Sequence, residues 1–353
     1  MIIHSRFKDY NVEMVNDADF LEEIMTLDNS EFVIDKNVYE LYHNFFSSIS
    51  SDRMIIIDAN EENKVIDTAL NICEKMTDIP AKRNACLISI GGGIIQDITG
   101  FAANILYRGV KWIFIPTTLL AGCDSCIGGK TSLNYKRYKN LLGTFYPPDE
   151  IYIWPKFFQT LTQKDFESGL GEVVKFNIMT GNDGLEYIEN NIQQLLSRED
   201  NSLKQCIKRC LAFKQEFIEI DEFDRGERIK LNFAHTFGHG LETVTNYIIP
   251  HGTAVAIGMI MANHISENRN MISHDTVARS EDVLLKVIHI DYDLRTLAFD
   301  EYVNAIKKDK KQISSQLTAV LMTNVPKDLR IVHDIKIDEI RNAIDYFCDL
   351  YYR

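Results

Sequence analysis

The sequence predicts an α/β first part followed by a mainly α-helical second part, and three observations predict it. Short apolar runs of strand length alternate with helix-periodic stretches through the first part of the chain. One of those runs ends in three consecutive glycines. Beyond residue 166 the pattern changes to long helical periods in which β-rich runs are scarce. Strands that alternate with helices imply a parallel sheet. The boundary is placed at 165/166, giving an α/β domain over residues 1–165 and a helical domain over 166–353.

The elements follow in order. Residues 54–58 (MIIID) are a short apolar run closing at Asp58, and helical periodicity follows over 64–76. Residues 85–90 (ACLISI) are a second strand; Gly91, Gly92 and Gly93 come next, then a helix from about Asp97 to 106. Residues 111–115 (KWIFI) are a further buried strand, stopped by Pro116 because proline cannot donate to a ladder. The second part reads as helices over 166–179, 184–196, 203–220, 231–246 and 252–268, with one short strand at 319–322. No internal repeat or low-complexity run interrupts them.

Composition narrows the class. Of 353 residues, 45% are hydrophobic and 25% charged, the balance of an ordinary globular protein with room for about two domains. A net charge of −13 argues against nucleic acid as a partner, because a polyanion needs a basic surface. A small anionic substrate needs only a local cationic pocket. Residues 1–9 lack the apolar core of a secretory signal, and no apolar stretch approaches the roughly 20 residues of a membrane span. The seven cysteines have no regular spacing, which reads as reduced thiols and a cytoplasmic protein with no membrane partner. Cys123 and Cys126 form a lone C-x-x-C, read as small residues packed in a tight loop.

Three segments carry chemistry. Residues 88–100 (ISIGGGIIQDITG) run a strand through glycines into a helix. Such a turn lets backbone approach a pyrophosphate at a helix N-terminus; a tight turn in any α/β sheet needs the same glycines. Residues 232–242 (NFAHTFGHGLE) place His235 and His239 four apart on one helix face. With a carboxylate and His251 they make a candidate zinc site; paired surface histidines are the alternative. Glu172 and Lys175 stand on a separate helix, as ligand candidates or as a helix-stabilising pair. Residues 124–140 (DSCIGGKTSLNYKRYKN) could set Lys130 over a phosphate beside backbone N–H groups, without the P-loop spacing. Lys139, Asn140, Lys214, Arg228, Lys310 and Lys311 are further anion-ligand candidates, each also readable as a surface charge.

Taken in order, these blocks resemble the 3-dehydroquinate synthase family of sugar phosphate cyclases, from about Phe32 to about Lys311. The resemblance rests on residues 91–100, Tyr107-Arg108-Gly109, residues 116–121 with Asp124-Ser125, residues 128–131 with Lys139-Asn140, residues 172–175, residues 232–239 and His251-Gly252. It implies a Rossmann-like α/β domain and a helical domain with the site between them. It also implies NAD and a divalent metal, zinc or cobalt, held by Glu172, His235 and His251. His239, which spacing alone favours as a ligand, is by this resemblance a substrate-pocket group facing the phosphate. Asp124, Lys175, Lys214, Arg228 and Asn232 are similar to residues lining the sugar and its carboxylate. Lys130, Asn140 and Lys310 (or Lys311) are similar to phosphate-side groups, and Lys130 and Asp124 also to cofactor neighbours. Glu61 and Lys64 resemble a ribose-binding pair. Asp97 resembles a group near the nicotinamide, with Asp58, Gly91, Gly92, Gly93, Thr117, Thr118 and Lys139 completing the cofactor set. Arg108 is similar to a residue that reaches across a homodimer interface.

The reaction implied is cyclisation of 3-deoxy-D-arabino-heptulosonate 7-phosphate to 3-dehydroquinate with loss of phosphate, a carbon–oxygen lyase step in the shikimate pathway. Thr253, Gln96, Gly171, Asn60 and Tyr138 depart from the family pattern without removing a ligand or a cation, which suggests a divergent branch. The alternatives are a related cyclase of the valiolone, deoxyinosose or amino-dehydroquinate type, a metal-dependent alcohol or glycerol dehydrogenase, and a non-catalytic relative.

Overall fold

The structure, a computed structural model, describes residues 1–79, 84–136, 138–308 and 317–353. Lys310 and Lys311, named above as phosphate-side candidates, lie outside the described residues. The chain divides into two compact units, Met1–Thr160 and Leu161–Arg353. Among the described residues no helix is long and apolar enough to cross a membrane.

The first unit contains strands β1 (Ile2–Ile3), β2 (Tyr10–Met14), β3 (Ser30–Asp35), β4 (Met54–Ile57), β5 (Cys86–Gly91), β6 (Lys111–Pro116), β7 (Lys130–Tyr135), β8 (Tyr138–Phe145) and β9 (Glu150–Ile153). Its helices are α1 (Asp19–Met25), α2 (Lys36–Tyr42), α3 (Ile66–Met76) and α4 (Gly93–Ile105). Seven strands form a sheet in the order β1-β2-β9-β6-β5-β3-β4. All the pairings are parallel except β1 with β2. The central strands read as unbroken apolar runs because they are covered: Leu87, Ile88 and Ile90 of β5 and Phe32, Val33 and Ile34 of β3 are fully buried. The chain leaves β3 for β4 on one side, then crosses to β5 on the other and continues to β6. The direction of winding therefore reverses between β3 and β5. In open parallel sheets the crevice at the carboxyl ends of two such strands is where ligands bind. Here those ends are Asp35 and Gly91.

Helix α4 starts at Gly93, four residues before the Asp97 start read from periodicity, with Gly92 as N-cap. Residues 130–135 and 138–145, which overlap the candidate phosphate-side segment 124–140, are the two strands of an antiparallel hairpin, β7 with β8. Strands β1, β2, β3 and β9 were not read from the sequence. In β3 the apolar run is only Phe32-Val33-Ile34, bracketed by Ser30-Glu31 before it and Asp35 after it.

Glu31 is 7% exposed, and its Oε2 has no hydrogen-bond partner among the described residues. Burial pushes its carboxyl up to about 7, against the pull of Arg53 and Lys75. The folded chain thus keeps this proton to a higher pH than the unfolded chain. Stability from this group is full below the unfolded value of 4.5 and falls until the pH passes about 7. The expected loss is on the order of 2 kcal/mol. Urea unfolding at pH 5 and pH 8 should show Glu31→Gln with a shallower fall than the wild type. Identical falls would mean that Glu31 is ionised throughout.

The second unit contains α5 (Gln163–Met179), α6 (Asn182–Leu196), α7 (Asp200–Ile220), α8 (His235–Val244), α9 (His251–Asn268), α10 (His274–Leu284), α11 (Phe299–Lys308), the hairpin of β10 (Leu317–Met322) and β11 (Leu329–Ile335), and α12 (Ile337–Tyr351). Helix α5 begins three residues before Phe166, where the apolar period starts, because the Thr162 hydroxyl caps it by accepting from the Asp165 N–H at 3.1 Å. Helix α9 is buried on every side from Gly252 to Asn263. A helix apolar all round belongs in a core, and α5, α8, α10 and α12 pack on it.

One expected helix, 231–246, is two pieces. A 3₁₀ turn spans Glu227–Asn232, Ala234 takes a left-handed conformation at φ 69°, and α8 starts at His235. Packing against α9 explains the break. The Ala234 carbonyl oxygen lies 2.5 Å from where a side chain at Gly258 would begin.

Candidate active site

Glu172 and Lys175 sit three apart on the buried face of α5 and are 0% and 1% exposed. Glu172 Oε2 and Lys175 Nζ are 2.5 Å apart, and Lys175 also donates to the Leu231 carbonyl at 3.2 Å. His235, His239 and Glu242 follow the helical period along one face of α8, and His251 is the first residue of α9, after Pro250. These helices bring Glu172 Oε1 to 3.5 Å from His235 Nε2 and 3.2 Å from His251 Nε2. Glu172, His235 and His251 offer ligand atoms within 4.8 Å of one another, and so do His239, Glu242 and His251.

The first of these sets fits a divalent metal. A carboxylate and two imidazoles are a common donor set for zinc or cobalt. Each histidine engages Nδ1 elsewhere: His235 with the Phe233 carbonyl at 3.0 Å, and His251 with Glu242 Oε2 at 3.0 Å. That leaves both Nε2 atoms turned toward Glu172. Burial alone would lower the His251 pKa, but the Glu242 charge and the hydrogen bonds to Glu172 and Glu242 push it up to about 10. A cation at this place is thus electrostatically favoured, and a metal ion would take the place of that proton.

Lys214 on α7 and Arg228 are buried, 7% and 3% exposed. The Arg228 guanidinium donates to the Glu222 carbonyl, and its backbone N–H to Asp221. Asn232 donates to the Ile229 carbonyl at 2.9 Å. Arg228 and Asn232 share the turn whose Leu231 carbonyl holds Lys175, and α7 packs on that turn. The fold thus gathers Lys175, Arg228 and Asn232 at one turn, and Lys214 is a buried cation on the helix that packs on it. His239 is half-buried, its ring centre 5.2 Å from that of His235 and 5.7 Å from that of His251.

In the first unit the glycines divide between the two readings. A side chain at Gly91 would strike Ile95, and one at Gly92 would strike Thr118, so these two serve the tight turn. At Gly93 a Cβ would meet nothing nearer than Ser125 Oγ at 3.7 Å. The start of α4, on the carboxyl edge of the sheet, is therefore not crowded at Gly93, as close approach of a pyrophosphate would require.

Beside it a network ties the E-x-x-K loop to the hairpin. Lys64 Nζ lies 2.5 Å from Asp97 Oδ2 and 2.6 Å from Asn140 Oδ1. Asp97 accepts from the Ser132 backbone N–H and hydroxyl, both at 3.0 Å. Burial pushes the Asp97 carboxyl up, partly offset by Lys64 and Ser132. Glu61 pairs with Lys139 at 2.9 Å and accepts from Asn134 Nδ2 at 2.7 Å. Burial would raise its pKa, but Asn134 and Lys139 outweigh that and hold it low. Asn140 stands at φ 52° and donates its backbone N–H to Asn134 Oδ1.

Thr117 and Thr118 follow β6; Thr117 donates its N–H to the Gly91 carbonyl, and Thr118 Oγ1 accepts from Ala121. Asp124 lies in a π-helical turn, Ala121–Ser125, and Asp58 is exposed just after β4. Lys130 stands in a strand rather than in a phosphate-binding loop. It opens strand β7, and the Gly128 N–H already donates to the Tyr10 hydroxyl at 2.9 Å. Gly128 and Gly129, at φ 97° and 63°, serve the turn into the hairpin. Arg108 is exposed, with Tyr107, Arg108 and Gly109 all at positive φ. Cys123 and Cys126 are buried free thiols, and no donor cluster among the described residues includes them.

Sequence reading passed over Gln96 as a site residue, along with Ser125, Ser132, Asn134 and Glu242. Gln96 and Ser125 bond reciprocally and hold the turn that carries Asp124. Glu242 was within reach, since the period that pairs His235 with His239 extends to it.

Two family models match the chain: 3-dehydroquinate synthase N-terminal over residues 54–168, and 3-dehydroquinate synthase C-terminal over residues 169–312. The 3-dehydroquinate synthase of Clostridium tetani is 33% identical over 97% of this chain and 89% of its own. That of Acetivibrio thermocellus is 38% identical over 75% of this chain and 74% of its own. Among solved structures, the 2-epi-5-epi-valiolone synthase of Streptomyces hygroscopicus subsp. jinggangensis, with NAD+ and Zn2+ bound, superposes at TM-score 0.84 with 24% identity over 97% of each chain. A probable glycerol dehydrogenase of Sinorhizobium meliloti superposes at 0.65 with 14% identity over 97% of each chain, which shows a wider sharing of the fold. By its two matched models and these relatives, the chain belongs to the 3-dehydroquinate synthase family.

Proposed function

We propose that this chain is a 3-dehydroquinate synthase, an NAD- and metal-dependent lyase that converts 3-deoxy-D-arabino-heptulosonate 7-phosphate to 3-dehydroquinate and phosphate. The observation that carries it is the Glu172, His235 and His251 set, the first two buried, with Lys175 against it, in a chain of that family. When bound, NAD+ would accept and return a hydride and the divalent ion would polarise the hydroxyl being oxidised. The chain's own groups bind and orient. Lys175 sets a fixed positive charge beside the ligand carboxylate, where buried charges act strongly. Lys214 and Arg228, both buried cations, suit the substrate carboxylate. His239 is placed in the role of a phosphate-facing group, with Lys130, Asn140 and Lys310 as further phosphate-side groups and Asp124 on the sugar. Glu61, Lys64 and Asp97 take the cofactor side, with Gly93 leaving room for its phosphates. The buried cations favour an anionic substrate over the neutral substrate of an alcohol or glycerol dehydrogenase. In this reading the enzyme works in the cytoplasm, in the shikimate pathway, as a homodimer to which Arg108 contributes.

The test is phosphate release by purified protein with NAD+ and Zn2+ or Co2+. The substrates are the heptulosonate phosphate, sedoheptulose 7-phosphate and glucose 6-phosphate. Release from the first alone, without net NADH, is the expected result. Gly93→Leu should fold normally and lose NAD-dependent release. Release from another sugar would reassign the substrate, and net NADH from an alcohol would make the chain a dehydrogenase.

A further inference from the structure

The two histidines of the metal set are held in different ways. His235 is 10% exposed, and its Nδ1 contacts the carbonyl of Phe233, two residues back on the same stretch of chain. The local backbone therefore fixes that ring. His251 is 32% exposed and stands at the first position of α9, where no preceding helical turn packs on its ring. Its Nδ1 is held by a side chain from a different helix, Glu242 of α8, at 3.0 Å. Glu242 is 13% exposed, so the carboxylate side of this pair is largely out of water, while the His251 ring stays partly exposed. A carboxylate on Nδ1 keeps the proton on that nitrogen and turns Nε2 toward Glu172 Oε1, 3.2 Å away, where an ion would take the place of the Nε2 proton.

We infer that Glu242 is a positioning residue for the metal centre, fixing the tautomer and orientation of His251 so that Nε2 rather than Nδ1 is presented to the ion. This rests on the metal-dependent reading above. Glu242 acts through His251 and is not itself a ligand. The alternative use of the same atoms, His239, Glu242 and His251 around an ion of their own, would make Glu242 a ligand and give the chain two cations.

Cobalt binding to the full-length apoprotein separates these cases, read by visible absorption and by metal analysis. Wild type should bind one Co2+ per chain. Glu242→Ala should weaken binding about 10- to 100-fold, the usual effect of losing such a partner, while its stoichiometry at saturation stays one. Glu242→Gln should recover part of that loss, because its amide oxygen can still accept from Nδ1–H. Unfolding midpoints of the metal-free proteins report whether the variants are merely less stable. Unchanged cobalt affinity in Glu242→Ala overturns the inference. So does a stoichiometry that falls from two to one. A wild-type chain that binds no cobalt overturns the metal reading itself, and the inference with it.

Discussion

Gly252→Ala is expected to lower the stability of the second unit by about 3 kcal/mol and to strip its metal site, a magnitude at the upper end for overpacking. A Cβ at position 252 would lie 1.7 Å from the carbonyl oxygen of Ser168, and the obstacle is backbone, which has no rotamer to yield. The crossing is tight from the other side as well, since a Cβ at Gly171 would lie 2.1 Å from the Gly252 oxygen. The Gly252 N–H donates to the Ser168 hydroxyl at 3.0 Å across the same contact. Relief requires α5 and α9 to move apart. Glu172 follows Gly171 and His251 precedes Gly252, so the separation acts directly on the 3.2 Å approach of Glu172 to His251. Denaturant unfolding and cobalt uptake check the two halves of this expectation. A variant as stable as the wild type, with undiminished cobalt affinity, would show that the crossing does not set the site.

Glu172→Gln and Lys175→Met should behave asymmetrically, although they remove opposite ends of one buried ion pair. Removing Glu172 leaves the Lys175 ammonium, 1% exposed, without its carboxylate partner and takes away a proposed metal ligand. The cost is expected at about 3–5 kcal/mol, because an uncompensated buried charge is left behind. Added Co2+ should not restore it. Removing Lys175 leaves Glu172 with two histidines and, when metal is present, a divalent cation that replaces the lost charge. Lys175→Met should therefore be destabilised as the metal-free chain and largely restored by Co2+, while its phosphate release stays abolished. Thermal unfolding of both variants with and without Co2+ reads the difference. Equal rescue of both by metal would remove Glu172 from the ligand set.

Much of this site was legible in the sequence, and the rest was hidden for identifiable reasons. Strands β5 and β6 announced themselves as apolar runs, and the glycine turn between β5 and α4 was visible as a motif. Strand β3 was not, because only three apolar residues, Phe32 to Ile34, stand between Glu31 and Asp35, although the sheet buries the Glu31 carboxylate. The strands of the β7–β8 hairpin were not recognised because β8 has no buried residue and carries lysine, asparagine and tyrosine. Periodicity placed His235 and His239 on one face, as the structure does. The same periodicity carried that helix back through Ala234, a residue type with the highest helix propensity. The structure bends there instead, because packing on α9 overrides local preference.

The sequence by itself determined the class of each part, the family, the glycine turn and the inventory of histidines, carboxylates and cations. All of these are properties of composition, period and order along the chain. Tertiary structure alone decided which of those groups meet. Glu172 reaches His251 because two glycines far apart in sequence let α5 and α9 touch backbone to backbone. Glu242 reaches His251 because α8 lies beside the start of α9. Gly93, unlike Gly91 and Gly92, would meet no clash with an added side-chain carbon. Contacts of this kind depend on the separation of packed helices at a scale of ångströms, which hydrophobic period and residue spacing do not encode.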